Sequence, residues 1–271
     1  MLTLVPTPIG NLEDISLRAL NVLLEAELIF CEDTRVTKKL LNLLGEKNNL
    51  NFSDKDYKSF HSHNENQVLK TLTSDTFTKN VVYVSDAGMP CVSDPGATLV
   101  DYCINNNIEY DVLPGANAVL TAYAMSGFTN TTFAFHGFLA HKGAERSSKL
   151  DAILNDDKLA ILYESPHRLL KLLEELAKKD ENRTVFLVKE ISKLHQKTYK
   201  NNALELYELF KSENIRGEWV VVIEPTVTAG TPLELKDIED LDLAPKVKAK
   251  LLSKMTGRKT KEIYQELMNN D

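Results

Sequence analysis

The chain's 271 residues, 43% of them apolar and 26% charged, have ordinary globular composition and enough length to bury a core without covalent staples. Its three scattered cysteines, Cys31, Cys91 and Cys103, form no C-x-x-C pair, which argues against a zinc site or a disulfide framework and fits a reduced compartment. A net charge of −7 argues against a uniformly basic nucleic-acid coat protein. No apolar run nears membrane-helix length, and Met1 leads into the chain without a basic segment or a small-residue cleavage site. The expectation is a soluble, cytoplasmic protein with no membrane partner.

In chain order, residues 2–5 read as a strand, and Ser16 caps a helix carrying Leu17, Leu20, Leu23 and Leu24. A strand follows at 28–31, then a helix opened by Thr34 and ending near Gly45. Residues 57–60 form a weak strand, 64–74 a helix, and 81–85 a strongly apolar strand. Pro95 starts a helix to residue 105, with Asp94 as its cap, before a strand at 110–113 and a helix at 116–125. Such alternation predicts a mostly parallel sheet covered on both faces. The pattern changes at 127–130, dividing a first α/β lobe (1–127) from a second (128–228). The second carries strands at 132–138, 159–164, 183–189 and 219–223 and helices near 144–154, 166–178 and 202–212. Residues 225–232 read as a linker. The remainder of 229–271 forms a small appendage, with two short helices in 243–269 broken at Thr256-Gly257.

Charge is uneven at this end. Glu234, Asp237, Glu239, Asp240 and Asp242 precede a stretch holding Lys246, Lys248, Lys250, Lys254, Arg258, Lys259 and Lys261 with no acid among them. That stretch reads either as a solvated helix face or as a local phosphate-binding patch.

The chain contains no G-x-G-x-x-G, Walker, H-E-x-x-H or G-x-S-x-G motif. Small and turn-forming residues collect instead after three strands of the first lobe: Pro6-Thr7-Pro8-Ile9-Gly10-Asn11, Ser85-Asp86-Ala87-Gly88-Met89-Pro90 and Pro114-Gly115-Ala116-Asn117-Ala118. In open α/β sheets ligands bind beyond the carboxyl ends of strands, so three such loops at one sheet edge would build a site from backbone groups. Asp86 follows a buried strand without directly preceding a helix, which favours a functional role, whereas Asp94 reads at least as well as a helix cap as it does as a functional residue. His61 and His63 read as loop histidines, Tyr199 and His195 as residues of a polar connection open to base stacking, and Trp219 as core.

These loops resemble the tetrapyrrole methylase family of S-adenosylmethionine (SAM)-dependent methyltransferases. The resemblance extends over Glu32-Asp33-Thr34-Arg35, the run from Ser85 to Gly96, Tyr163-Glu164-Ser165-Pro166-His167-Arg168 and Lys189-Glu190-Ile191-Ser192-Lys193-Leu194-His195, in the family's order. It implies a two-lobed α/β fold of the class III methyltransferase kind, with SAM in the cleft between lobes, a small helical C-terminal appendage and a homodimer. The Glu32–Arg35 and Tyr163–Arg168 stretches set RNA-acting members apart from porphyrinoid-modifying relatives. The implied activity is therefore 2′-O-ribose methylation of a decoding-centre cytidine in 16S rRNA of the small ribosomal subunit. By the same resemblance, Thr7, Pro8, Asp86, Gly88, Met89, Cys91, Ala116, Asn117, Leu162 and Tyr163 would hold SAM. Glu32, Asp33, Arg35, Glu164 and Glu190 would serve catalysis, and His61, His167, Arg168, Lys189 and Lys193 would face the RNA, with no metal implied. Met89 and Cys91 depart from the family's usual Thr and Ile or Leu. A porphyrinoid methylase and a non-catalytic RNA-binding protein retaining SAM are the competing readings.

Overall fold

Residues 1–225 and 234–269 are described by a computed structural model. Its first sheet holds β1 (Leu2–Leu4), β2 (Leu28–Cys31), β3 (Asp56–Ser59), β4 (Val81–Val84) and β5 (Tyr110–Val112) in the order β3-β2-β4-β1-β5, every neighbouring pair parallel. Strands β1, β2 and β4 are buried throughout, as a parallel sheet covered on both faces requires. Period-2 alternation divides β4 between two cores. Val82 and Val84 join Leu20 and Leu23 of α1 (Leu17–Glu25) and Leu41 of α2 (Thr34–Asn48). Val81 and Tyr83 join Phe30, Phe60 and Leu99.

The second sheet orders β6 (Phe133–Phe138), β7 (Leu159–Glu164), β8 (Thr184–Lys189), β9 (Lys197–Asn202) and β10 (Trp219–Ile223) as β6-β7-β10-β8-β9. Only β6–β7 is parallel, so the mostly parallel pairing expected from the alternation describes the first sheet and not the second. One face buries Leu162, Leu187 and Val221 under α6 (Ala144–Leu154), α7 (Pro166–Lys179) and α8 (Ala203–Phe210). On the other, Val119 and Ala122 of α5 (Ala118–Ser126) pack against Ile161, Phe186, Val188 and Val222. Helix α5 leaves the last strand of the first sheet and lies against the second, tying the two together.

Several local expectations are corrected. The helix expected at 64–74 is one short helix, α3 (Glu65–Leu69), followed by a 3₁₀ segment at Ser74–Thr78. Helix α4 (Ala97–Asn105) starts later than Pro95, and its N-cap is Gly96 rather than Asp94. Gly96 has φ +123°, and a Cβ there would fall 2.6 Å from the Tyr83 ring, so the chain turns at Gly96 before helical geometry begins. Strand β9 reads from its sequence as a polar connection because Lys-Thr-Tyr-Lys-Asn-Asn lacks apolar alternation. Pairing with β8 supplies the order that composition did not. Tyr199 accordingly packs its ring 4.9 Å from Phe210 and 6.0 Å from Trp219, which removes it from base stacking. Trp219 is core, at 2% exposure.

The expected linker falls largely on residues 226–233, outside the described residues. Beyond it α9 (Leu235–Glu239), α10 (Pro245–Thr256) and α11 (Thr260–Asn269) enclose Ile238, Ala249, Leu252 and Ile263 as a compact unit of their own. Gly257, at φ +70°, ends α10 as expected. Helix α9 lies in the acidic run, where no helix was expected. Among the described residues, no helix is long and apolar enough to cross a membrane.

Candidate active site

The three small-residue loops converge. Thr7 and Gly88 exchange backbone hydrogen bonds, each N–H donating to the other's carbonyl at 3.0 Å. The Thr7 hydroxyl donates to the Ser85 carbonyl at 3.4 Å. Gly115 sits so close to Pro6 that a Cβ would approach its ring to 2.6 Å, locking the third loop onto the first. The first loop also reaches the second lobe. A Cβ on Gly10 would lie 3.0 Å from the Ile191 carbonyl, and the Ser192 hydroxyl bonds the Asp14 carboxylate.

Between these loops and the strand ends of β7 and β10 opens a cavity of ≈ 370 Å³, within the range of about 300–1,000 Å³ typical of ligand sites. Ile9, Met89, Val92, Ala118, Ile191 and Val220 give it apolar walls, and Asn117, Tyr163 and Asp94 add polar groups. Left-handed backbone conformations cluster beside it, at Gly88, Cys91 and Ser93 on one side and at Glu190 and Ser192 on the other. Backbone cost of this kind persists where the surrounding fold holds it, often at ligand sites.

Three carboxyls of the first lobe influence one another. The Asp86 N–H donates to Glu32 Oε1 at 3.1 Å, and the Asp33 N–H donates to Asp86 Oδ1 at 3.2 Å. Burial pushes the Glu32 and Asp86 carboxyls above the usual range, and the Asp86 charge raises Glu32 further. Asp94 is raised to about 7, first by burial and then by the charges of Glu32 and Asp86. Below this group the buried Tyr83 hydroxyl has no hydrogen-bond partner among the described residues, and burial raises it strongly. His61 lies close enough for its charge to favour ionised Glu32.

The second-lobe carboxylates are instead held by cations. Glu164, 2% exposed, has Oε1 2.8 Å from Arg168 Nε and Oε2 3.5 Å from Arg146 Nη1, and Oε1 also accepts the Ser165 N–H at 2.8 Å. Arg146, itself 1% exposed, donates through Nε to Glu175 at 2.7 Å. Burial would raise Glu190, but hydrogen bonds from the Glu218 N–H (2.7 Å) and Lys193 Nζ (3.2 Å) outweigh it and leave its carboxyl lowered. Asp33 is lowered to about 2 because its carboxylate accepts from the Arg35 side chain and backbone.

Of the positions expected to hold cofactor, Gly88, Met89, Asn117 and Tyr163 line the cavity. Thr7 and Pro8 are buried behind it, and the Ala116 carbonyl lies beside Gly88. Asp86 joins Glu32, whereas the Cys91 side chain packs with the Tyr83 core and Leu162 faces the helices of the second lobe. Of the catalytic set, Glu32 reaches the carboxyl cluster and Glu164 lines the cavity. Asp33 and Arg35 pair with each other, and Glu190 braces Glu218. Of the substrate set, His167 is exposed at the start of α7, and Arg168 is engaged by Glu164, Ser165 and the Leu139 carbonyl. Lys189 stands 5.7 Å over the Trp219 ring, and Lys193 bridges Glu190 and Glu218.

Sequence reasoning missed Asp94, whose capping role does not exist. It lines the cavity, and its carboxyl makes no hydrogen bond or ion pair to the described residues. The available clue was its place in the same loop as Met89 and Val92. Among the described residues, no group of three His, Cys, Asp or Glu side chains is arranged to hold a metal.

Comparison with known proteins accords with this geometry. The family model described as Tetrapyrrole (Corrin/Porphyrin) Methylases matches residues 1–207. The chain is 46% identical to ribosomal RNA small subunit methyltransferase I of Campylobacter fetus, over 99% of this chain and 100% of that protein. It is 43% identical to the protein of the same name from Helicobacter pylori strain 26695, over 97% and 96% of the respective chains. In fold it is similar to the methyltransferase CobJ, with TM-score 0.59 at 16% identity over 85% of this chain and 96% of that one. It is also similar to the uroporphyrin-III C-methyl transferase of Thermus thermophilus complexed with S-adenyl homocysteine, with TM-score 0.55 at 16% identity over 82% and 96%.

Proposed function

The chain belongs to the tetrapyrrole methylases, a family of SAM-dependent methyltransferases, and from that premise we propose that it methylates a ribose 2′-oxygen of small-subunit ribosomal RNA, at a decoding-centre cytidine. The observation that carries the substrate class is similarity over nearly the whole chain, at 46% and 43% identity, to two proteins named ribosomal RNA small subunit methyltransferase I.

The cavity suits SAM. Its apolar walls match a nucleoside and thioether body, and its small-residue loops let backbone groups approach closely. Residues Ile9, Gly88, Met89, Asn117, Ala118 and Tyr163 would hold it. The cofactor supplies an electrophilic methyl group, so the chain's work is to align the attacking hydroxyl and remove its proton.

Asp94 is the group fitted to that removal. Glu164 and Glu190 are occupied by cations and N–H donors, and Asp33 is held by Arg35. Asp94 alone among these carboxyls lines the cavity with no hydrogen-bond or ion-pair partner among the described residues, and its elevated pKa matches a base working near neutrality. The Asp94 carboxylate would take the hydroxyl proton as the ribose oxygen accepts the methyl group that bound SAM would supply. Glu32 and Asp86 keep Asp94 basic by their charge, while Glu164 orients Arg168. Exposed Arg35 and His167, with Lys189, are assigned to the RNA. The homodimer implied by the family resemblance belongs to this reading.

The test is transfer of labelled methyl from SAM to purified small ribosomal subunits lacking ribose methylation, with the product nucleotide mapped. Label on one decoding-centre 2′-oxygen is the expected result. Label appearing on a porphyrinoid and not on RNA would overturn the substrate, and SAM binding without turnover would overturn the enzyme.

A further inference from the structure

We propose that a lysine stripe on α10, formed by Lys246, Lys250 and Lys254, grips the phosphate backbone of the RNA substrate and contributes affinity without base selection. The inference rests on the reading that the substrate is RNA.

The three lysines recur every fourth residue, so they lie along one side of the helix. That side points away from the small core, since Ala249 and Leu252 are the buried positions of α10 while all three lysines are exposed. None of the three makes a hydrogen bond, ion pair or aromatic contact with the described residues. Elsewhere surface lysines find acids nearby: Lys178 with Glu174, Lys179 with Asp151, Lys211 with Glu208, and Lys47 with Glu13. Helix α10 itself holds no acid with which such a pair could form. The acidic run next to it does not neutralise the stripe. Its one bond to α10 runs from Lys248, outside the stripe, to the Glu239 backbone carbonyl at 2.9 Å.

This arrangement opposes helix stability. Like charges four residues apart repel, and the stripe contains two such pairs. Lys246 also stands in the first turn, where the helix dipole disfavours a cation. A row of unpaired, mutually repelling cations is relieved by a polyanion, and a regularly charged phosphodiester backbone fits a linear row better than a single anion does. Phosphate contacts of this kind fix register and strengthen binding while carrying no sequence information. The C-terminal turn adds to the surface. Gly257 allows a three-residue connection into α11, where Lys261 is likewise exposed and without a partner among the described residues, while Arg258 and Lys259 pair with Glu266 and Glu262.

The test uses the full chain. Lys246→Gln, Lys250→Gln and Lys254→Gln are combined, and binding to unmethylated small subunits is titrated across salt concentration, alongside SAM binding. Loss of three phosphate contacts should make the salt slope shallower by about 2–3 and weaken binding roughly 100-fold at low salt, with SAM affinity unchanged. The matching triple arginine variant keeps the charge and should retain the wild-type slope. Glutamine variants that bind with unchanged affinity and slope would overturn the proposal, as would arginine variants that lose affinity as much as the glutamine ones. Failure of the wild-type chain to methylate or bind ribosomal RNA would instead overturn the substrate reading on which the proposal stands.

Discussion

Replacing Asp94 with asparagine keeps the side chain's size and removes its ability to take a proton, which separates its chemistry from its packing. Its carboxyl moves from an ordinary value of 3.8 to about 7 in the folded chain. That is roughly three units, or about 4 kcal/mol at 1.36 kcal/mol per unit, and partial solvent access reduces it to about 2 kcal/mol. The sign follows from proton counts. Between 3.8 and about 7 the folded chain holds a proton that the unfolded chain has released, so stability falls as pH rises through that window. Asp94→Asn should therefore melt roughly 5 °C higher than the wild type at pH 8 without cofactor, and the gain should vanish near pH 4. Catalysis should move the opposite way. The wild-type kcat should rise with pH through about 7. The variant should lose about 10²–10⁴-fold and with it that limb of the profile, at unchanged SAM affinity. Methyl transfer to unmethylated small subunits, followed from pH 5.5 to 9, reads this directly. A variant retaining kcat within about threefold and the same pH limb would refute the assignment of the base.

Arg146→Met leaves Glu164 and Glu175 without their buried cation and should destabilise the chain by about 3–5 kcal/mol, read by urea titration, with methyl transfer falling as Arg168 loses its orientation. Gly217→Ala places a Cβ 2.7 Å from Glu190 Oε1 at a φ of +88° and should cost about 1–3 kcal/mol in the same titration, with Lys193 no longer bridging Glu190 to Glu218. Tyr199→Ala removes a ring packed on Phe210 and Trp219 and should lower stability by about 1–3 kcal/mol. Its affinity for small subunits should stay unchanged, whereas a base-stacking role would show as lost affinity.

The sequence by itself carried the strand–helix alternation of the first lobe, because fully buried parallel strands such as 81–84 are continuous apolar runs and helices such as α1 announce themselves by a capping serine and leucine spacing. It also carried the three glycine-bearing loops, since the close approaches at Gly10 and Gly115 and the left-handed turn at Gly88 admit few other residues. Edge strand β9 was not legible. Its polar sequence is ordered by pairing with β8 rather than by any pattern of its own, and Tyr199 could be assigned to the core only once that strand was in place. The carboxylates show the same division. Glu32, Asp33, Asp86, Asp94, Glu164 and Glu190 are one residue type or its homologue, and their sequence neighbours do not distinguish a base from an ion-pair partner. Tertiary structure separated them by what it brought near each: Arg146 to Glu164, the Glu218 N–H to Glu190, and the Glu32 and Asp86 carboxyls to Asp94. Charge and hydration at a carboxyl depend on groups distant in the chain, so chemical role was decided by the fold even where local conformation was already written in the residues.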